Sequence, residues 1–336
     1  MTFLLKDNNN KYLLKKKIGR GATCDCYLGQ KIIGDTSEIF AIKVFSQKYY
    51  EFYSNEISFL SELKENEYFI KLYEYGQGLL IPIIEKAEIN DNSDEKNLDE
   101  NMEIQTVYYQ VLEYAVNGEL KDYINGTSSR IPEKISAKLF TKIVKGVQYL
   151  HNNNIAHCDL KPENILLDRF FNPKINDFGF SQKFDGKNGN FLLHKRSGTP
   201  NYSSPDVRLA FTKGYDGIKN DIFSLGVLLF VITIGDFPFN SANYSDEKYK
   251  FIIKGRFNKF WEFFNYIRIS EEFKDLINKL ISLNPSKRLS IDEILRHPWI
   301  TKNLGINENN NDEILFSNDI YDKDIWDEFF SRKQLL

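Results

Sequence analysis

The stretch His157-Cys158-Asp159-Leu160-Lys161-Pro162-Glu163-Asn164, followed soon by Asp177-Phe178-Gly179, carries the densest chemistry in the chain. From Asp159 to Asn164 it sets out a carboxylate, an ammonium (Lys161) and a carboxamide; Asp177 then adds a second carboxylate on a tight glycine-containing turn. Moving a phosphoryl group from a nucleotide asks for such a set. One carboxylate orients the acceptor hydroxyl, a cation offsets charge on the group in transit, and an amide oxygen with a carboxylate holds magnesium. Little covalent work falls to the protein, so positioning and electrostatics carry most of the rate. The bland alternative is a buried polar turn with chance spacing, and the flanking segments weigh against it.

Upstream, Ile135–Asn152 carries Leu139, Ile143, Val147 and Leu150 at helical spacing, which predicts a core helix that ends at an Asn run and delivers the loop. Near the start, Tyr12-Leu13-Leu14 leads through Ile18 into Gly19-Arg20-Gly21-Ala22-Thr23-Cys24-Asp25-Cys26, read as a strand entering a glycine turn. Glycines there let backbone N–H groups approach phosphate with no Cβ in the way. Alone, a plain β-hairpin would explain this turn equally well. Fifteen residues beyond Cys26 comes Ala41-Ile42-Lys43-Val44 in a strand context, and that spacing raises the phosphate reading. Lys48–Leu63 has helical spacing; it offers Glu56, with Leu60 four positions on, as a carboxylate to hold Lys43, while Glu51 and Glu62 read as a solvated face.

As an ordered set these stretches resemble the eukaryotic Ser/Thr protein kinases, over roughly Tyr12 to Ile300. The resemblance implies an α+β, bilobal fold, with a small β-rich lobe over about 12–112 and a larger, mostly helical lobe over about 116–300. It implies ATP and Mg²⁺. Ile18 and the Gly19–Cys26 loop would cover the nucleotide, Ala41 would pack on adenine, and Lys43, paired with Glu56, would meet the α- and β-phosphates. Glu113 and Ala115 would bond the adenine edge, with Leu112 as gatekeeper. Glu119 would meet the ribose or a basic substrate side chain, and Leu166 would floor the pocket. Asp159 would act as base or orienting group, Lys161 would neutralise the γ-phosphate in transit, and Asn164 and Asp177 would hold magnesium. Gly198-Thr199-Pro200 looks like the Ser/Thr-kinase substrate pocket, where Thr199 bridges Asp159 and Lys161. Leu60, Leu72, His157 and Phe178 match the family's internal hydrophobic spine.

Downstream, Asp221-Ile222-Phe223-Ser224-Leu225-Gly226-Val227 opens a segment apolar almost all round through Ile234, the mark of a buried helix. By resemblance its first Asp ties down the catalytic loop. Ser290-Ile291-Asp292-Glu293 is a capping box, and the ending His297-Pro298-Trp299-Ile300 is most similar to the calcium/calmodulin-dependent kinase group. Three departures stand out. Cys24 replaces the third glycine and Cys26 the usual Val. Ser204-Pro205-Asp206 stands for Ala-Pro-Glu, its Asp206 still expected to pair with Arg288. Cys158 replaces the Arg that pairs with an activation-loop phosphate in most kinases; a thiol cannot form that ion pair, so activity is expected to need no such phosphate. Between Asp177 and Pro200 the hydroxyls are Ser181, Ser197 and Thr199. A redox role for Cys24 and Cys26 is weaker than their reading as ordinary small residues.

Composition bounds the rest. With 336 residues, 42% apolar, a sizeable core is affordable. A net charge of −3 with no dominant basic face argues against nucleic acid. Three cysteines are too few for a disulfide scaffold, which points to a reducing, cytoplasmic setting, the nucleus remaining open. No signal peptide, myristoylation site or membrane span is expected. Residues 1–11 are expected to fray, 85–103 to form a mobile acidic insertion, and 301–336 to form a tail. The tail's aromatic pairs with acidic residues between them do not suit calmodulin. Protein substrates with Ser or Thr acceptors are the expected partners; nothing specifies an oligomer, and a monomer suffices. A scaffold that keeps the fold without catalysis is the main competing class, disfavoured because Lys43, Glu56, Asp159, Lys161, Asn164 and Asp177 are all present. Small-molecule kinases are disfavoured by Gly198-Thr199-Pro200.

Overall fold

A computed structural model describes residues 2–32, 38–63, 66–83, 104–124, 130–186 and 191–306. The expected acidic insertion at 85–103 and the tail beyond Ile306 lie outside these residues. The chain divides into two units, Met1–Val116 and Asn117–Leu336.

The first unit is built on six strands: β1 (Thr2–Lys6), β2 (Lys11–Arg20), β3 (Cys24–Lys31), β4 (Ile39–Ser46), β5 (Leu72–Ile83) and β6 (Gln105–Glu113). They close into an antiparallel barrel in the order β1-β2-β3-β4-β6-β5. β4 lies between β3 and β6 and is buried along nearly its whole length, which is why it reads as a continuous apolar run. Leu5, Leu14, Phe40, Ile42, Val44, Leu80, Val107 and Val111 fill the interior. Between β4 and β5 runs α1 (Tyr50–Glu62), which buries Tyr53, Glu56, Ile57 and Leu60 at helical spacing.

The expectation that residues 1–11 fray is corrected here. Thr2–Lys6 is a strand that pairs with both β2 and β5, and Leu4 and Leu5 are buried. The physical reason is closure: without β1, the edges of β2 and β5 would present unpaired backbone groups. Gly78 permits the approach, since a Cβ there would come within 2.8 Å of the Lys6 carbonyl oxygen. One end of the barrel is tied by polar groups. Tyr12 Oη donates to Glu74 Oε2 at 2.5 Å, and Tyr109 Oη donates to Asp7.

The second unit is mostly helical, with short strand pairs: β7 (Ile155–Ala156), β8 (Ile165–Leu167), β9 (Pro173–Ile175), β10 (Gln182–Lys183), β11 (Leu192–Leu193) and β12 (Tyr215–Asp216). β8 pairs with β9, β10 with β7 and β11 with β12, all antiparallel. Its helices are α2 (Glu133–Asn152), α3 (Gly217–Ile234), α4 (Tyr249–Ile253), α5 (Phe257–Trp261), α6 (Glu271–Leu280), α7 (Ile291–Leu295) and α8 (Pro298–Leu304). α2 starts two residues before the sequence expectation because Glu133 joins it, its carboxylate bonding Ser270 and Trp299. α3 is capped by Asp216, whose Oδ1 accepts from Lys219 N at 3.0 Å, and is buried on every side. It is long and apolar enough to cross a membrane, yet other parts of the unit cover that surface. Each large side chain so buried contributes roughly 1.5–3 kcal/mol before the entropy of ordering is set against it. The capping box at Ser290 and Glu293 is formed.

Candidate active site

The candidate residues form two groups, one inside each unit. In the second unit, α2 and the β7 strand lead into the loop at Cys158–Asn164, and α3 fixes it from beneath. Asp221 Oδ2 accepts from His157 N at 2.8 Å and Oδ1 from Cys158 N at 2.9 Å. His151, which the sequence reading passed over, bonds Asp221 Oδ2 at 3.0 Å. Cys158 takes a left-handed conformation, φ +66°, so these two amides must be held; a buried pair of N–H groups without acceptors would be costly. His157 is fully buried: its Nδ1 accepts from Asp159 N at 3.3 Å, which leaves Nε2 to donate to the Asn176 carbonyl at 3.2 Å. It packs on Phe178 with ring centroids 5.2 Å apart. Its part is structural.

Asp159 sits at the centre of a closed set of bonds. Lys161 Nζ lies 2.8 Å from its Oδ2; Thr199 donates to Oδ1 from N at 2.8 Å and from Oγ1 at 2.7 Å; Lys161 Nζ also donates to Thr199 Oγ1 at 2.8 Å. Asn164 Nδ2 donates to the Asp159 carbonyl at 2.8 Å and to Oδ2 at 3.1 Å. Burial pushes the Asp159 carboxyl up, but Lys161 and Thr199 outweigh burial and hold it below its ordinary value. The group is therefore an ionised acceptor first and a weak base. That suits orienting a hydroxyl more than removing its proton early.

Asp177 follows the β8–β9 hairpin, whose register continues past Ile165–Ile175 to the bond from Asn176 N to the Asn164 carbonyl at 2.9 Å. Its φ is +64°, and its carboxylate accepts from Gly179 N at 3.3 Å. Asn164 and Asp177 are thus brought to the same end of one hairpin. Turning Asn164 Nδ2 toward Asp159 puts its amide oxygen on the opposite side. Among the described residues no cluster of three or more His, Cys, Asp and Glu forms a protein-only metal cage. One amide oxygen and one carboxylate fit Mg²⁺, which keeps waters and takes substrate phosphate oxygens for the remainder of its shell. Leu166 lies on β8, and Glu119 makes a bridge to it. Burial, with Asp122 and Glu163 nearby, raises the Glu119 carboxyl. Glu163 pairs with Lys121 at 3.3 Å. Asp206 and Arg288 form the expected ion pair, at 2.6 Å.

In the first unit, Lys43 Nζ lies 2.6 Å from Glu56 Oε1, with both residues buried. Gln110, directly across from Lys43 in the β4–β6 register, donates to Glu56 Oε2 at 3.2 Å. The sequence reading missed Gln110; its signal was an amide in the otherwise apolar run Val107–Leu112. Gly19 to Cys26 forms the β2–β3 turn, closed by Gly21 N donating to the Cys24 carbonyl at 2.8 Å. Arg20 and Asp25 are paired in register, and Asp25 bonds Lys17 at 2.6 Å. Ala22 and Thr23 occupy the tip, Cys26 faces Lys43 across β3–β4, and Ile18 is exposed. Cys24, partly exposed, packs on the Phe45, Tyr53 and Ile57 group. Ala41 is buried and pairs with the also buried Leu112. Glu113 N donates to the Lys71 carbonyl at 2.9 Å, and Ala115, two residues on, is buried.

A family model described as "protein kinase domain" matches residues 12–300. The chain is similar to CBL-interacting protein kinase 11 of Oryza sativa subsp. japonica, 32% identical over 302 residues, which is 90% of this chain and 54% of that protein. It is also similar to CBL-interacting serine/threonine-protein kinase 5 of Arabidopsis thaliana, 32% over 294 residues, 88% of this chain and 59% of that protein. With serine/threonine-protein kinase kin-29 of Caenorhabditis briggsae it shares 39% over 202 residues, 60% of this chain and 23% of the other. The chain therefore spans somewhat over half the length of the two plant relatives. The matched domain, a β-rich unit followed by a helical one, and the bonded Asp159 loop agree in one respect: this chain belongs to the protein kinase family, with that family's bilobal α+β fold.

Proposed function

We propose that the chain is a Ser/Thr protein kinase that transfers the γ-phosphoryl group of ATP to protein hydroxyls and needs no activation-loop phosphate. The closed Lys161–Thr199–Asp159 triangle carries the reading. It presents an ionised carboxylate and an ammonium side by side, both bonded to the Thr199 hydroxyl. Asp159 orients that hydroxyl. Lys161 offsets negative charge as the bond to phosphorus forms. Lys43, held by Glu56 and Gln110, steadies the nucleotide phosphates, and Asn164 with Asp177 holds magnesium. The metal, when bound, neutralises charge on the phosphate oxygens.

Independence from a phosphate is supported by where the hydroxyls between Asp177 and Pro200 go. Ser181 Oγ donates to the His157 carbonyl at 3.3 Å, Ser197 is buried, and Thr199 is spent on Asp159. At position 158 a buried thiol offers no positive charge. The ending His297–Ile300 supports a reading within the calcium/calmodulin-dependent kinase group. We take the cytoplasm as its compartment and basic proteins as first test substrates, since Glu119 and Glu163 lie beside the loop. The test is Mg²⁺-dependent transfer of radiolabel from ATP to a generic basic protein after phosphatase treatment. Wild-type chain transfers label, chelation stops it, and Asp159→Asn lowers it by at least roughly a hundredfold. Label transfer surviving in Asp159→Asn, or abolished by phosphatase, refutes the corresponding half of the reading.

A further inference from the structure

The Ser197-Gly198-Thr199 turn meets the catalytic loop at two points. Thr199 bonds Asp159, and Gly198, at φ +91°, lies so near the loop that a Cβ would come within 2.2 Å of the Cys158 carbonyl oxygen. From the other side the turn is held by Gln182 on β10. Its Nε2 lies 2.7 Å from Ser197 Oγ, 3.0 Å from the Lys195 carbonyl, 3.4 Å from Tyr215 Oη and 3.8 Å from Cys158 Sγ. Tyr215 Oη also donates to the Lys195 carbonyl at 3.3 Å and lies 3.4 Å from Ser197 Oγ. An amide NH₂ has two hydrogens, so the cluster shares its bonds among these acceptors. Cys158, Ser197 and Tyr215 are buried, and buried polar atoms must find partners close by. Every side chain in the cluster is uncharged. Burial and the Asp221 carboxylate push the Cys158 thiol up, so it too stays neutral.

We propose that Gln182 is a positioning residue: its amide, with Ser197, Tyr215 and Cys158, forms an uncharged clamp that fixes Lys195–Thr199 and so sets Thr199 against Asp159. The proposal rests on the kinase reading for its effect on rate, though not for the clamp itself. It has a consequence for modification. A phosphate on Ser197 would face an amide, a phenol and a thiol, while the flanking Lys195 and Arg196 are exposed to solvent. With no cation in the cluster to offset it, the added charge opens the clamp rather than closing it.

The test uses the full chain with Gln182→Glu, Ser197→Ala and Ser197→Asp, and two measurements. The first follows tryptic cleavage after Lys195 and Arg196 by mass spectrometry, which needs no activity. The second is steady-state transfer to a basic protein. Gln182→Glu keeps the shape and loses both donated hydrogens. It is expected to speed that cleavage and to lower kcat roughly tenfold, the scale of one or two hydrogen bonds, while KM for ATP stays within about twofold. Ser197→Asp is expected to lose more kcat than Ser197→Ala. Cleavage of Gln182→Glu at the wild-type rate overturns the clamp. Faster cleavage with unchanged kcat, or Ser197→Asp as active as wild type, overturns the positioning role. Absence of transfer by the wild type sinks the kinase reading and the positioning role together, and cleavage still decides the clamp.

Discussion

Replacing Arg288 with Ala should destabilise the second unit more than any exposed substitution. The guanidinium is buried, its side chain 0% exposed. Nη2 meets Asp206 Oδ2 at 2.6 Å, Nε donates to the Ser282 carbonyl at 2.9 Å and Nη1 to the Lys219 carbonyl at 3.0 Å, and the plane lies over the Phe223 ring at 5.1 Å. Nη2 also donates to the Leu283 carbonyl at 3.4 Å, so removing the side chain leaves a mostly buried carboxylate and three carbonyls without these donors. Breaking one side of a buried pair costs about 3–5 kcal/mol, largely the penalty of the charge left behind. For a unit of this size, each kcal/mol lowers Tm by about 2–4 °C, so the expected drop is roughly 6–20 °C by calorimetry. Arg288→Lys should fall between, because one ammonium cannot serve four acceptors set around a planar fork. Asp206→Asn should cost less than Arg288→Ala, since Asp206 is 18% exposed and water reaches it. A drop below about 3 °C for Arg288→Ala, or Arg288→Lys matching wild type, would refute the reasoning.

Two further outcomes follow from buried ionisable groups. Iodoacetamide at pH 8 should label Cys24 and Cys26 in the native protein and spare Cys158 until denaturation, by at least ~100-fold, because only the thiolate reacts and Cys158 is held as the thiol; equal labelling in mass spectra would contradict this. The Asp159 carboxyl lies below its ordinary 3.8 despite burial, so its stabilisation is present above that value and is lost as pH falls through the depressed one. Lys161→Met removes the largest influence opposing burial, raising the Asp159 value; acid unfolding followed by circular dichroism should then begin at higher pH than in wild type, and an unmoved midpoint would count against it.

Much of this was legible without coordinates because it is local or strongly patterned. The spacing from Asp159 to Asn164 states its chemistry along the chain. Ile135–Asn152 and Asp221–Ile234 announce themselves by period and by unbroken apolarity, and the Ser290 capping box is a four-residue signal. Tertiary structure alone decided the rest, for one physical reason: long-range partners leave no period in the sequence. Thr2–Lys6 is too short an apolar run to announce a strand by itself, and only the open edges of β2 and β5 make it one. Gln110 and Gln182 are ordinary amides until the fold carries them to Glu56 and to Ser197. Cys24 reads as one residue of a glycine-type loop, and only the β3–β4 register shows that it packs on Phe45. Residue types and spacing determined which chemistry is available; the pairing of distant strands and loops determined which groups hold it in place.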